Sequence, residues 1–278
     1  MDPVTVIIPA SNEAALIGAC LDSLLASEWP QDKPLDVVVI ANGCHDDTAG
    51  IARGRESAFA ARGWSLLIID RPEGGKPGAL DAGDDTVRGD GPRVYLDADV
   101  TISPRLLDRL ADALSVARPR YASGRVRITA QSAVSRAYAR MWGRVPFMQH
   151  GVPGCGVFAV NAAGRARWGR FPDIIADDTF VRLCFAPEER VLVDACYDWP
   201  VAEGFARLVK VRRRQDAGVS EIARKYPALA KNDDKRPFPL ADKFRAALFD
   251  PMAFAVYGGV ALVVRLTRKN RQEWARGR

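Results

Sequence analysis

Four clusters in this sequence carry groups that could do chemistry. "VYLDADV" (94–100) ends an apolar run in two carboxylates, Asp97 and Asp99. Like charges that close repel, and neither enters a core without a partner. The pair fits a divalent site, Mg2+ or Mn2+ held by few protein ligands and completed by phosphate oxygens and water. Taken alone it fits equally an Asp-rich turn whose Asp99 caps the next helix. "FPDIIADDTFVRL" (171–183) holds Asp177-Asp178. One of these could be a general base whose pKa its neighbour raises, or both could be acids at a helix N-terminus. In "RPEGGKPGAL" (71–80) Gly74 and Gly75 let backbone approach a ligand, and Lys76 can reach a phosphate or sugar just before a helix start at Pro77. It is not a Walker A loop, because no Gly lies five residues before Gly75 and Pro77 replaces the Ser or Thr. Finally, "KVRRRQDAG" (210–218) has Arg212, Arg213 and Arg214, which suit either an anionic ligand or a solvated helix face.

Such groups need a scaffold, and the first half of the chain has the pattern of one. "VTVIIPA" (4–10), "DVVVIAN" (36–42), "WSLLIID" (64–70) and "RVYLDAD" (93–99) are apolar over consecutive residues, as strands buried on both faces are. Segments near 13–27, 47–62, 77–88 and 103–117 read as helices between and after them. The alternation predicts an α/β fold with a mostly parallel sheet flanked by helices. The strand ends of such a sheet share one edge, where ligands bind. That edge collects Asn12 and Glu13, Asn42 to Asp47, and Asp97 and Asp99. His45 reads as a solvent-facing residue of this edge. "GVPGCGVFAV" (151–160) has Gly154 and Gly156 around Cys155, which give a ligand access to backbone. It precedes an apolar strand instead of following one, which argues against a dinucleotide site.

A hydrophobic fraction of 48% and a charged fraction of 27% exclude disordered and collagen-like classes. The net charge of +6 suits phosphate-rich ligands or an anionic membrane surface. Composition changes after about residue 200, which suggests a main domain over 1–218 and a helical C-terminal extension over 219–278. Its apolar stretch "PMAFAVYGGVALVV" (251–264) is shorter than the roughly 20 residues a spanning helix needs. The basic "RLTRKNRQEWARGR" follows it, so residues 251–278 suit either packing on the domain or peripheral membrane contact. The five cysteines form no Cys-x-x-Cys pair and read as reduced, and no basic segment followed by an apolar run opens the chain. The expected location is cytoplasmic, at the inner face of the cell membrane if the C-terminal segment attaches there.

The order of motifs resembles the family 2 glycosyltransferases, which have the GT-A fold of nucleotide-diphospho-sugar transferases. "VTVIIPASNEAALIGACLDSLL" (4–25) is similar to the family's first strand and helix, and "VVVIANGCHDDTAGIA" (37–52) to its second strand and acidic loop. "EGGKPGALDAG" (73–83), "VYLDADV" and "DIIADDTFVRL" (173–183) resemble the Gly-Gly-Lys, Asp-x-Asp and Glu-Asp segments. The resemblance implies inverting, metal-dependent transfer of a sugar from a nucleotide-diphosphate donor to an acceptor hydroxyl on a sugar, lipid or small molecule, with no nucleic-acid partner. It implies Mg2+ or Mn2+ at Asp99 with Asp97, Asp178 as base beside Asp177, and an acceptor-side loop at Gly154, Cys155 and Gly156. Donor contacts would come from Pro9, Ala10, Asn12, Glu13, Asn42, Asp46, Gly75, Lys76, Asp97, Ala98 and Arg214. Two departures stand out. Ala41 takes the place of the family's uridine-reading Asp, leaving Asn42 as a substitute. "KVRRRQDAG" keeps only Arg214 of the Gln-x-x-Arg-Trp segment of processive relatives, which argues against a polymerase. A nucleotidyltransferase of sugar phosphates and a non-catalytic nucleotide-sugar-binding protein are the alternatives.

Overall fold

Three of the four apolar runs become long parallel strands, β1 (Val4–Ala10), β2 (Leu35–Asn42) and β3 (Ser65–Arg71), while the fourth, β4 (Arg93–Leu96), stops short. The computed structural model describes residues 2–267; the basic residues 268–278 of the expected membrane segment lie outside the described residues. Side chains of β1 alternate between two packed layers. Val4, Val6 and Ile8 face α1 (Ile17–Leu25), and Ile7 faces the opposite layer. Burial on both faces is why these strands read as unbroken apolar runs. The helix expected over 47–62 is two, α2 (Thr48–Arg53) and α3 (Glu56–Ala61), separated at Gly54. Next come α4 (Lys76–Asp84), the short strand β5 (Thr101–Ile102) and α5 (Leu106–Leu114).

The second half holds β6 (Tyr121–Thr129), α6 (Ala133–Trp142), α7 (Pro146–His150), β7 (Val157–Val160), α8 (Ala162–Arg165), α9 (Asp177–Leu183) and β8 (Arg190–Pro200). All strands join one sheet of order β3-β2-β1-β4-β7-β6-β8-β5. β7 runs antiparallel to β4 and β6, and β5 antiparallel to β8, whereas β6–β8 is parallel. The sheet is therefore mixed: parallel as expected in the first half, and largely antiparallel beyond β4.

The chain ends in α10 (Phe205–Lys225), α11 (Leu240–Phe249) and α12 (Pro251–Leu266). The boundary expected at residue 218 falls inside α10. Asp250 caps α12 by accepting the Ala253 N–H at 3.2 Å, with Pro251 at the first helical position. Val260 and Val264 of α12 pack with Leu208 and Val209 of α10 and Tyr138 of α6. Among the described residues, no helix is long and apolar enough to cross a membrane.

The largely exposed segment between α10 and α11 is tied down as a strap. Asn232 Nδ2 donates to the Leu183 carbonyl at 2.8 Å, and Asp234 pairs with the buried guanidiniums of Arg182 and Arg190.

Candidate active site

The strand expected to run to Asp99 ends at Leu96, so both carboxylates sit on a turn. Asp97 N–H donates to the Gly156 carbonyl at 2.8 Å, and Val100 N–H closes the turn on the Asp97 carbonyl at 3.1 Å. The loop before β7 thus carries the acidic turn on its backbone. Gly156 has φ 79°, and a Cβ there would lie 2.8 Å from Val100 and 2.9 Å from Trp199. A Cβ on Gly154 (φ 66°) would lie 1.7 Å from the Tyr121 hydroxyl. Packing alone therefore requires both glycines. Tyr197 Oη fixes the residue between them by donating to the Cys155 carbonyl at 2.7 Å.

Across the cleft, α9 begins with Asp177 and Asp178 in its first turn. Its approach is pinned by α10, where Glu221 accepts the Ile175 N–H at 3.0 Å and Gly218 packs on Ala176. Asp177 is buried, and Asp178 Oδ1 accepts the Thr179 N–H at 2.6 Å. Lys76, first residue of α4, reaches between the two acidic elements. Its Nζ lies 2.7 Å from Asp97 Oδ1 and 3.2 Å from Asp177 Oδ2. Lys76 thus supplies a cation to one carboxylate of each acidic pair. Pro9, Tyr95, Leu96 and Phe158 complete the cleft walls.

Negative charge here exceeds what Lys76 can neutralise. Burial, with Asp99 and Asp97 nearby, pushes the Glu13 carboxyl up to about 7. Burial and Asp97 push Asp99 up to about 6, and burial and Asp177 raise Asp178, also to about 6. Burial works against the Lys76 ammonium, but Asp177 and Asp97 outweigh it and hold its pKa above the ordinary lysine value. Among the described residues, no group of three or more His, Cys, Asp and Glu is placed to hold a metal by itself. The arrangement fits a divalent ion held by two carboxylates and completed by donor oxygens and water, not an all-protein cage.

Several expected donor residues hold the edge together. Asp46 accepts the Ala14 N–H at 3.0 Å and the Thr48 N–H at 3.1 Å, and Thr48 Oγ1 in turn accepts the Glu13 N–H at 2.9 Å. The Thr48 hydrogen bond leads in holding the Asp46 carboxyl below its usual range. Asn12 (φ 58°) accepts the His45 N–H at 2.8 Å. Ala10 and Ala98 are buried, and Gly75 (φ 113°) precedes Lys76 at the head of α4. Asn42 is also buried, and its Oδ1 has no hydrogen-bond partner. Arg212 is occupied by Asp216 at 3.1 Å and the Tyr257 hydroxyl at 3.2 Å, whereas Arg214 is exposed. Arg214 lies one helical turn before Gly218, on the face of α10 that meets the α9 approach.

Sequence reading missed Thr48 and Arg182. Thr48 was signalled by Asp-x-Thr at a helix start. Arg182, which donates to the Val152 carbonyl at 3.1 Å, had no local signal.

The family model described as glycosyl transferase family 2 matches residues 5–166, more than half of the chain. The chain belongs to glycosyl transferase family 2. Its fold is shared with the mannosyltransferase PcManGT from Pyrobaculum calidifontis, solved with GDP-Man and Mn2+, at TM-score 0.59 and 22% identity, covering 96% of this chain and 76% of that one. Glucosyl-3-phosphoglycerate synthase from Mycobacterium tuberculosis, solved with Mn2+ and UDP, aligns at TM-score 0.51 and 19% identity over 80% and 79% of the two chains. Among curated relatives, glycosyltransferase AglE of Haloferax volcanii is 38% identical over 71 residues, 26% of this chain and 22% of the relative. The undecaprenyl-phosphate 4-deoxy-4-formamido-L-arabinose transferase of Aeromonas hydrophila is 32% identical over 111 residues, 40% of this chain and 33% of the relative. The matches thus span a third or less of those curated relatives.

Proposed function

We propose that this protein transfers a sugar from a nucleotide-diphosphate donor to an acceptor hydroxyl with inversion at the anomeric carbon. The observation that carries this reading is that Lys76 pairs with Asp97 and Asp177 while Asp99 and Asp178, their neighbours, add unneutralised charge to the same cleft. Asp178 takes the acceptor proton as the new C–O bond forms, and the bond to the diphosphate breaks with its electron pair leaving on the phosphate oxygen. A pKa raised to about 6 leaves Asp178 ionised near neutrality yet basic enough to accept that proton. Asp99 and Asp97 would hold Mg2+ or Mn2+, which when bound supplies Lewis-acid stabilisation of the departing diphosphate. The unpartnered Asn42 Oδ1 supports a base N–H being read there in place of the carboxylate that Ala41 lacks.

Release of free nucleoside diphosphate from a panel of uridine, guanosine, cytidine, adenosine and thymidine diphosphosugars with Mn2+ tests the reading. Turnover of one donor that Asp178→Asn abolishes while nucleotide binding persists supports it. Turnover that survives in Asp178→Asn removes the base assignment. Absence of nucleotide binding across the panel removes the donor site.

A further inference from the structure

Charge is divided unevenly along this chain. Residues 205–278 hold 18 Lys and Arg against 7 Asp and Glu, a net +11, while residues 1–204 hold 22 against 27, a net −5. The basic quarter also carries an unpaired apolar face. On the α11–α12 hairpin, Leu240, Phe244, Leu248, Phe249, Met252 and Leu266 each keep 65–81% of their surface exposed. Leu240, Phe244 and Leu248 follow one another at four-residue spacing and form one stripe of α11. The hairpin's own packing uses small or opposite-facing residues, Ala246, Ala253, Val260 and Val264. Apolar surface of this extent is costly to leave in water and marks a contact surface. Lys235, Arg236, Lys243, Arg245 and Arg265 lie on or beside the hairpin. Of its acids, Asp242 pairs with Arg245 at 3.7 Å, and Asp250 with Arg140 at 2.8 Å.

We propose that the α11–α12 hairpin docks this protein on an anionic lipid surface, with the α11 stripe entering the headgroup boundary and the surrounding cations facing lipid phosphates. Charge complementarity selects this occupant, since a second copy of the hairpin would bring like-charged rims together. The contact centres on α11, upstream of the 251–278 segment that composition singled out.

Docking there also orients the cleft. Lys235 Nζ lies 5.1 Å from the Phe147 ring centroid on α7, and Arg182 joins the same strap to the Val152 carbonyl. Five residues separate Lys235 from Leu240, at most about 18 Å of chain. The acceptor-side loop would therefore lie close to the bound surface, suited to an acceptor presented from the membrane.

The test is flotation of the full chain with vesicles of phosphatidylcholine alone and of phosphatidylcholine and phosphatidylglycerol in equal parts. The wild type should partition at least tenfold more strongly onto the phosphatidylglycerol vesicles. Phe244→Ser with Leu248→Ser should reduce that partition at least tenfold with an unchanged unfolding midpoint, because both side chains are exposed. Equal partition of variant and wild type, or no partition of the wild type at low salt, overturns the proposal. So does a wild-type dimer that the double variant dissociates without any vesicle binding, which would make the stripe an interface between copies. Partition requires no turnover, so this result stands or falls separately from the transferase reading.

Discussion

The two ends of α4 handle charge in opposite ways. At its C-terminal end the buried Asp84 carboxylate has more partners than it needs: Arg165 at 2.8 Å, Arg93 at 3.3 Å and the Tyr95 hydroxyl at 2.8 Å. At its N-terminal end, Lys76 touches Asp97 and Asp177, and Glu13, Asp99 and Asp178 crowd the same cleft with raised pKa values. Of these five carboxylates, Lys76 pairs with two. A pair built for stability satisfies its buried charge, whereas an excess of one sign is maintained where a ligand of the other sign is to be bound.

The contrast can be broken by mutation. Asp178→Asn should lower transfer by about 10^3-fold, measured as nucleoside diphosphate release. The same change should raise the unfolding midpoint, because it removes charge the fold cannot neutralise. Asp84→Asn should do the reverse, costing about 3 kcal/mol of stability in denaturant titrations by leaving two guanidiniums without their carboxylate, with turnover per folded molecule retained. If both variants moved stability in one direction, the contrast would fail. Lys76→Met should cost about 3 kcal/mol, because it leaves the buried Asp177 carboxylate without its ammonium. Added Mn2+ should then raise the midpoint more in this variant than in the wild type, because the ion would supply the missing positive charge.

The smallest effect is on pH dependence. Glu13 and Asp178 protonate near 7 and near 6 in the fold but near 4 in the unfolded chain. Between those values the native state binds more protons, so their contribution to stability is present at the acid end and lost as pH rises toward 7. Denaturant midpoints between about pH 5 and about pH 8 should show this decline, and Asp178→Asn should flatten it.

Legibility followed burial. β1 and β2 were readable because both faces of each strand are covered, which leaves an unbroken apolar run. The outer half of β6, "RVRIT", alternates exposed and half-buried residues, so neither it nor the antiparallel pairings beyond β4 announced itself. The glycines of the loop before β7 were visible, but their cause was not. Tyr121 and Trp199, which fill the space a Cβ would take, lie more than 30 residues away in sequence on either side.

By itself, then, the sequence determined the order of strands and helices in the first half and the identity of the acidic and glycine motifs. These depend on local periodicity and on residue chemistry. Only the tertiary structure decided that Lys76 stands between Asp97 and Asp177, that the strap at Asn232–Asp234 holds Arg182 and Arg190, and that α11 turns its apolar stripe outward. Each of these is set by which distant surfaces meet, and a short window of sequence does not encode that.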